Sequence, residues 1–283
     1  MSGMRAVAGV GRAAPLYLGV AILLTFTLFP FVWMGVTSLK TNAELYNIEA
    51  NPFTIARGIT LSHYTYLFAK TLYPRWYANT LLVASLSTVI AVVVSILAAY
   101  ALARLRFRGS DVLGTGIFAI YLVPTSLLFL PLSRVVVGLG LNDKLWSLVV
   151  TYPTFLIPFA TWLLISYFRT IPRELEECAM VDGANRLYAL VRIVLPVALP
   201  GLVTVTIFSF TLSWGELMYA LTFISSSVQK TLSVGTVGEL VRGDVFYWGE
   251  LMAGGLLAAV PVAVLYAFLS EYYVAGLAAG AIK

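Results

Sequence analysis

The residues that could do chemistry are few, and their spacing excludes most of it. The chain has one histidine, His63, and one cysteine, Cys178. Neither lies in a CxxC or Cys/His pattern with metal-ligand spacing. No GxxxxGK phosphate loop occurs, so the chain by itself has no recognisable means of holding ATP. Serine, aspartate and glutamate are present, but no activated nucleophile can be assembled from pattern. His63 reads as an ordinary surface residue in a polar loop. What remains is carboxylates in two settings. One group, Glu174, Glu176, Glu177 and Asp182, lies in a polar interruption of an apolar chain; the other residue, Glu216, lies inside the apolar run SFTLSWGELMYAL.

The polar interruption, Ile171 to Leu202, carries helix punctuation at both ends. Pro172 suits a first helical turn, where its missing N–H costs nothing. Glu174, Glu176 and Glu177 place negative charge at the positive end of the helix dipole. Leu175, Cys178 and Ala179 share a small apolar face at helical spacing. Gly183 breaks helical propensity and leaves room for close backbone approach, after which Leu187, Tyr188 and Val191 resume an apolar stripe. The pattern predicts two short helices lying flat between membrane spans. A linker that merely connects the spans satisfies the same pattern.

Composition places these elements in a membrane. Of 283 residues, 60% are hydrophobic and 11% charged, against roughly 25% charged in a soluble domain. The net charge of +5 is explained by loops at an anionic membrane face, without a nucleic-acid partner. Six apolar spans are expected in an all-α, polytopic chain: Leu16 to Thr37, Trp76 to Ala103, Leu113 to Leu132, Trp146 to Phe168, Gly201 to Phe223 and Glu250 to Tyr272. The first is long enough to cross a hydrocarbon core of about 30 Å and lacks a small-residue cleavage pattern, so it reads as an uncleaved span. Pro30 is expected to kink it or to mark its exit. In the second, Ser87, Ala91, Ser95, Ala98 and Ala99 permit a close helix neighbour. Prolines 124, 131, 153 and 158 fall in the third and fourth, as kinks or as broken segments along a pathway. Arg104, Arg106 and Arg108 in one loop, and Arg169, Arg173, Arg186 and Arg192 in another, mark the cytoplasmic side and put both termini there.

A charge inside lipid is expensive, so Glu216 should face the bundle interior, a partner subunit or water. With Trp214 and Tyr219 it could line a translocation pathway, an aromatic ring covering the apolar face of a sugar while the carboxylate accepts its hydroxyl hydrogens. Asn79, Tyr121 and Tyr152 are further pathway candidates. A structural carboxylate, hydrogen-bonded near the outer interface, is the competing reading.

The order Glu177-Cys178-Ala179, Asp182-Gly183-Ala184, then Ile193, Leu195-Pro196 and Pro200-Gly201-Leu202, resembles the signature loop of bacterial ATP-binding-cassette import permeases. Cys178 stands where that family usually has Ala, and Gly215 where Trp-Asn-Glu is usual. Asn79-Thr80, Ala98-Ala99-Tyr100 and Arg104-Leu105-x-Phe107-x-Gly109 resemble the sugar-import branch. The terminal Gly276, Leu277, Gly280, Ala281 and Lys283 are similar to the end of the maltose-type permeases. The resemblance implies a type I importer permease fold. It further implies that Glu174, Glu177, Cys178, Ala179, Asp182, Gly183, Ala184 and Arg186 dock into an ATPase subunit, with Gly276, Gly280 and Lys283 entering the same interface. Implied partners are a second permease, two ATPase subunits that hold ATP and Mg, and an external sugar-binding protein; the chain itself would be non-catalytic and carry no cofactor, in a bacterial cell membrane. The expected organisation is a tail 1–15, a first span with its external loop 16–75, a permease core 76–272 with the coupling loop 169–195, and a tail 273–283. A glycerol phosphate or other polar-solute importer of the same architecture is the alternative, and an ion-driven carrier is disfavoured by the docking loop.

Overall fold

The structure is a computed structural model that describes the backbone of residues 3–281 apart from 106, 243 and 244, and the side chains of 15–241 (without 106) and 246–271. It is helical throughout, with one two-residue antiparallel pairing, Val241–Arg242 with Val245–Phe246. The helices are α1 (Gly3–Ser38), α2 (Asn42–Leu45), α3 (Ser62–Lys70), α4 (Tyr73–Arg104), α5 (Ser110–Tyr121), α6 (Thr125–Gly138), α7 (Leu145–Thr151) and α8 (Pro153–Thr170). They continue with α9 (Glu174–Val181), α10 (Arg186–Ala189), a π turn Leu190–Val194, α11 (Leu195–Val197), α12 (Leu199–Trp214), α13 (Met218–Phe223), α14 (Leu232–Leu240) and α15 (Trp248–Ala281). Two compact units divide the chain, residues 1–71 with 239–259, and residues 72–238 with 260–283. The linear division expected from sequence therefore omits the return of 239–259 to the first unit.

Among the described residues, four stretches are long and apolar enough to span a membrane: Pro15–Ser38, Tyr73–Arg104, Leu145–Thr170 and Trp248–Glu271. Two bent pairs raise the number to six if each is one span, α5 with α6 at 99° and Arg186–Val197 with α12 at 82°. The expected third span is thus not one straight helix. Pro124 has no N–H to give and disfavours helical conformation in the residue before it, so α5 stops at Tyr121 and Pro124 caps α6. The expected fifth span breaks too, between Trp214 and Met218. Pro30, by contrast, lies within an uninterrupted α1. The tail expected to lack helical commitment is helix to Ala281, and Lys283 lies outside the described residues.

In the second unit α4 packs chiefly on α8 and α12. Its inward stripe is small: Ser87, Ala91, Ser95 and Ala99 are all fully buried, while Val89, Val93 and Leu97 are exposed. Such a stripe lets backbones approach, and Ser95 Oγ reaches the Ile157 carbonyl of α8 at 3.2 Å. The start of α4 holds the segment 227–232. Trp76 Nε1 donates to Ser227 O at 2.7 Å, the Leu232 N–H donates to Thr80 Oγ1 at 2.7 Å, and the Trp76 ring packs on Gly235, where any Cβ would collide with it.

The first unit is organised by buried charge. Lys40 Nζ donates to the carbonyls of Asn51 and Pro52 at 2.8 and 2.9 Å and faces Glu44 at 3.6 Å. The Glu44 carboxylate in turn accepts the N–H groups of Ala56 and Arg57, which hold its pKa below the usual range. His63 is not a surface residue: it is 1% exposed, with Nε2 against the Lys40 carbonyl at 2.8 Å and Nδ1 against Glu250 at 3.1 Å. It also lies in α3 and not in the loop expected from sequence, and nothing near it in the sequence hints at its burial, because the carboxylate that buries it lies far along the chain. The hydrogen bond to Glu250 raises the His63 pKa, against the opposing effect of burial. A raised histidine pKa means that the native state holds the proton more tightly than the unfolded chain. This stabilisation should be fully present below pH ~6.5 and fade as pH rises through the elevated native value. His63→Gln should abolish that pH dependence in thermal unfolding of the purified protein, while leaving the remainder of the profile in place.

Candidate functional site

The turn between α9 and α10 is built by local rules. Gly183 has φ +92°, a left-handed conformation that glycine adopts without a Cβ penalty. Around it the Ala184 N–H reaches Ala179 O at 2.9 Å and the Gly183 N–H reaches Met180 O at 3.1 Å, the two bonds that close a helix in a Schellman motif. Asn185 then caps α10, its Oδ1 accepting the Tyr188 N–H at 2.8 Å. Asp-Gly-Ala-Asn is thus a compact helix stop followed by a helix start.

The two short helices present an unpaired apolar surface. Val181 is 87% exposed, and Leu175, Leu187, Tyr188 and Val191 are exposed with it. Glu174, Glu177, Cys178, Asp182, Gly183 and Arg186 are exposed as well, and Ala179 and Ala184 are half-buried. Ala179, Asp182, Gly183, Ala184 and Tyr188 line an open hollow of roughly 460 Å³. The small apolar face expected of Leu175, Cys178 and Ala179 is therefore turned largely outward, away from this chain's own core.

What fixes this surface to the helical bundle was not singled out in the sequence. Glu176 is 5% exposed, and its carboxylate takes Arg104 Nε at 2.7 Å and the Tyr100 hydroxyl at 2.9 Å. Arg104 also donates through Nη2 to Ile171 O at 2.8 Å, and Arg173 reaches Ala103 O at 3.3 Å. The last turn of α4 is so tied to both ends of the segment entering α9. Sequence treated Arg104 as a cytoplasmic charge and Glu176 as one of three dipole partners. The one available signal was Tyr100 and Arg104, a helical turn apart on one face.

The pathway candidates separate. Glu216 is a cap for α13: its oxygens accept the N–H groups of Tyr219 and Ala220 at 2.8 and 3.1 Å and the Tyr152 hydroxyl at 2.9 Å. The structural reading of this carboxylate is the one the geometry favours. Tyr152 and Tyr219 are fully buried in the core beneath it, so neither ring offers a face to a solute. Asn79 is buried, and its amide nitrogen gives both hydrogens to Val228 O and Lys230 O at 2.9 Å, leaving none for a ligand. Trp214 is 7% exposed and packs against Tyr77 and Phe210. Tyr121 is the exposed member, at the α5–α6 bend with its ring 5.7 Å from Phe159.

A bundle of bent apolar helices, with an outward-facing helical turn locked to one span by a buried ion pair, is the architecture of a membrane permease. The chain belongs to the family described as "Binding-protein-dependent transport system inner membrane component", whose model matches residues 91–278. It is 38% identical to the inner membrane ABC transporter permease protein YcjP of Escherichia coli, covering 94% of this chain and 95% of that one. It is 36% identical to the sulfoquinovosyl glycerol transport system permease protein SmoH of Agrobacterium fabrum, over 94% of this chain and 93% of the relative. The fold is that of a bacterial ABC transporter involved in the import of the acidic polysaccharide alginate, with a TM-score of 0.78 at 23% identity over 96% of this chain and 99% of the other. The protein is an ABC transporter permease.

Removing one member of the buried pair leaves the other charge stranded. Glu176→Ala should cost about 3–5 kcal/mol and release the ATPase partner from purified complexes. Arg104→Met combined with Glu176→Leu should recover much of the thermal stability, since no lone charge then remains buried.

Proposed function

We propose that this chain is one permease half of an ATP-driven, binding-protein-dependent carbohydrate importer, with both termini cytoplasmic. The observation that carries the mechanism is the exposed α9–Gly183–α10 turn anchored to α4 through Arg104, Glu176 and Tyr100. In this reading the turn seats in a cleft of an ATPase subunit, which binds ATP and Mg and does all of the hydrolysis. Closure of two such subunits pushes residues 172–191 as one body. The buried pair passes that displacement to α4, and α4 to the α8 and α12 helices packed on it. Binding of ATP by the partners favours one packing of the spans and release of products the other, which is what coupling requires. The stretch 273–283, with Gly276, Gly280 and Lys283, reaches the same interface.

Carbohydrate cargo is supported by the relative that moves sulfoquinovosyl glycerol, a sugar carried on glycerol, and by the resemblance of the chain's end to the maltose-type permeases. A second permease subunit completes the pathway, and an external sugar-binding protein delivers to it. Tyr121 is the aromatic face open to the solute, while Glu216 holds the backbone beside the pathway in shape.

The assembled transporter in proteoliposomes tests this directly. Uptake and ATP hydrolysis should rise with a mono-, di- or oligosaccharide presented on its binding protein; stimulation by glycerol phosphate and by none of the sugars would overturn the carbohydrate reading. Gly183→Leu should uncouple the complex. The left-handed backbone alone costs a residue with a Cβ about 1–2 kcal/mol, and the added bulk meets the partner, since this chain leaves open space there. Glu177→Ala should be milder and Cys178→Ala close to silent. Wild-type ATPase retention and coupled uptake in Gly183→Leu would remove the docking assignment.

Orientation has its own test in intact cells. A cysteine at Gly109 should resist an impermeant thiol reagent added from outside, and one at Asn142 should react. The opposite pattern would invert the topology and strip the α9–α10 turn of access to a cytoplasmic ATPase.

A further inference from the structure

Two adjoining hollows open where α4 ends, α5 begins and α8 ends. They measure roughly 330 and 610 Å³ and share Leu102, Ser110, Asp111 and Arg169. The larger is rimmed by three guanidinium groups, those of Arg108, Arg169 and Arg173, against the single carboxylate of Asp111. Arg108 and Arg169 make no ion pair among the described residues, and Arg173 uses Nη2 for the Ala103 carbonyl. The smaller hollow runs from this basic rim between α5 and α8 to Phe118 and Trp162, whose rings lie 5.5 Å apart. Gly114, Thr115 and Ser166 keep this gap open by their size. From Ser110 to Phe118, and from Arg169 to Trp162, the helices descend about 10–12 Å. That depth carries a ligand from a membrane surface well into the hydrocarbon.

We propose that this is a binding site for an anionic phospholipid, with the headgroup phosphate among Arg108, Arg169 and Arg173 and one acyl chain in the α5–α8 groove against Phe118 and Trp162. The chemistry is divided as the ligand would be. Guanidinium forks match phosphate oxygens, and basic pockets between spans at a membrane surface favour anionic headgroups. A free phosphate or nucleotide would account for the rim but not for a groove continuous with it that leads to Phe118, Trp162 and Ile165. A zwitterionic lipid would account for the groove but bring its own cation to a rim already positive. The site depends on the membrane placement of these helices and not on the nature of the cargo, so a wrong carbohydrate assignment would leave it standing. Its position at the foot of α4 and beside Arg173 also puts a lipid next to the segment that leads into α9.

The test uses the assembled transporter in nanodiscs of equal phosphatidylglycerol and phosphatidylcholine, followed by native mass spectrometry of retained lipid. The wild type should retain phosphatidylglycerol in preference to phosphatidylcholine. Arg108→Gln with Arg169→Gln should weaken that retention about 25-fold, roughly fivefold per charge removed, while Lys144→Gln at a distant loop should not. If the double variant fails to assemble, Arg108→Gln alone should show the single fivefold step. Unchanged retention in an assembled arginine variant would overturn the proposal. So would displacement of the lipid by an equal concentration of inorganic phosphate, or cross-linking of a cysteine at Ser166 to the second permease subunit in place of lipid.

Discussion

The structure depends on a buried ion pair at the edge of the membrane. Arg104 and Glu176 are both almost wholly withdrawn from solvent, and each alone would be costly there. Together they are solvated by the protein: the Tyr100 hydroxyl gives a hydrogen to the carboxylate and the Ile171 carbonyl accepts one from the guanidinium. Such a pair contributes modestly to net stability, because desolvation consumes most of the attraction. Its larger effect is geometric. It ties α9 to the last turn of α4 through Arg104 and Tyr100, so the segment entering α9 is held to the span rather than joined to it by a free linker.

Around that pair the bundle follows membrane packing rather than the rule for soluble proteins. With lipid outside, apolar residues gain little by turning inward, and close backbone approach becomes the main source of cohesion. Hence α4 buries serines and alanines and exposes valines and leucines. Backbone breaks are tolerated where the freed polar groups find partners inside the protein. The break after Trp214 shows how: Glu216 supplies acceptors to the N–H groups at the start of α13 and is itself held by Tyr152. A carboxylate inside an apolar run thus satisfies a helix terminus.

Local grammar made part of this legible in the sequence. Apolar runs of spanning length, prolines that interrupt them, and arginines clustered in two loops depend only on residues near one another. So does the helical break at Gly183, whose left-handed backbone is a property of a few consecutive residues. The all-α class, the approximate spans and the two short helices around Gly183 followed from these alone.

What only the tertiary structure decided was which polar residues are partners across long separations. Arg104 meets Glu176, His63 meets Glu250, Tyr152 meets Glu216, and Asn79 meets the carbonyls of residues 228 and 230. No periodicity encodes these pairings, because a buried charge or amide is satisfied by whatever the fold brings within about 3 Å. For the same reason His63 reads as a surface residue from sequence, and nothing in the sequence marks Asn79, Tyr152 and Tyr219 as buried. Composition and spacing determined that this chain is a bundle of membrane helices with a polar helix–turn–helix between two of them; the pairing of its few buried polar groups, which desolvation makes obligatory, was settled only when the helices packed.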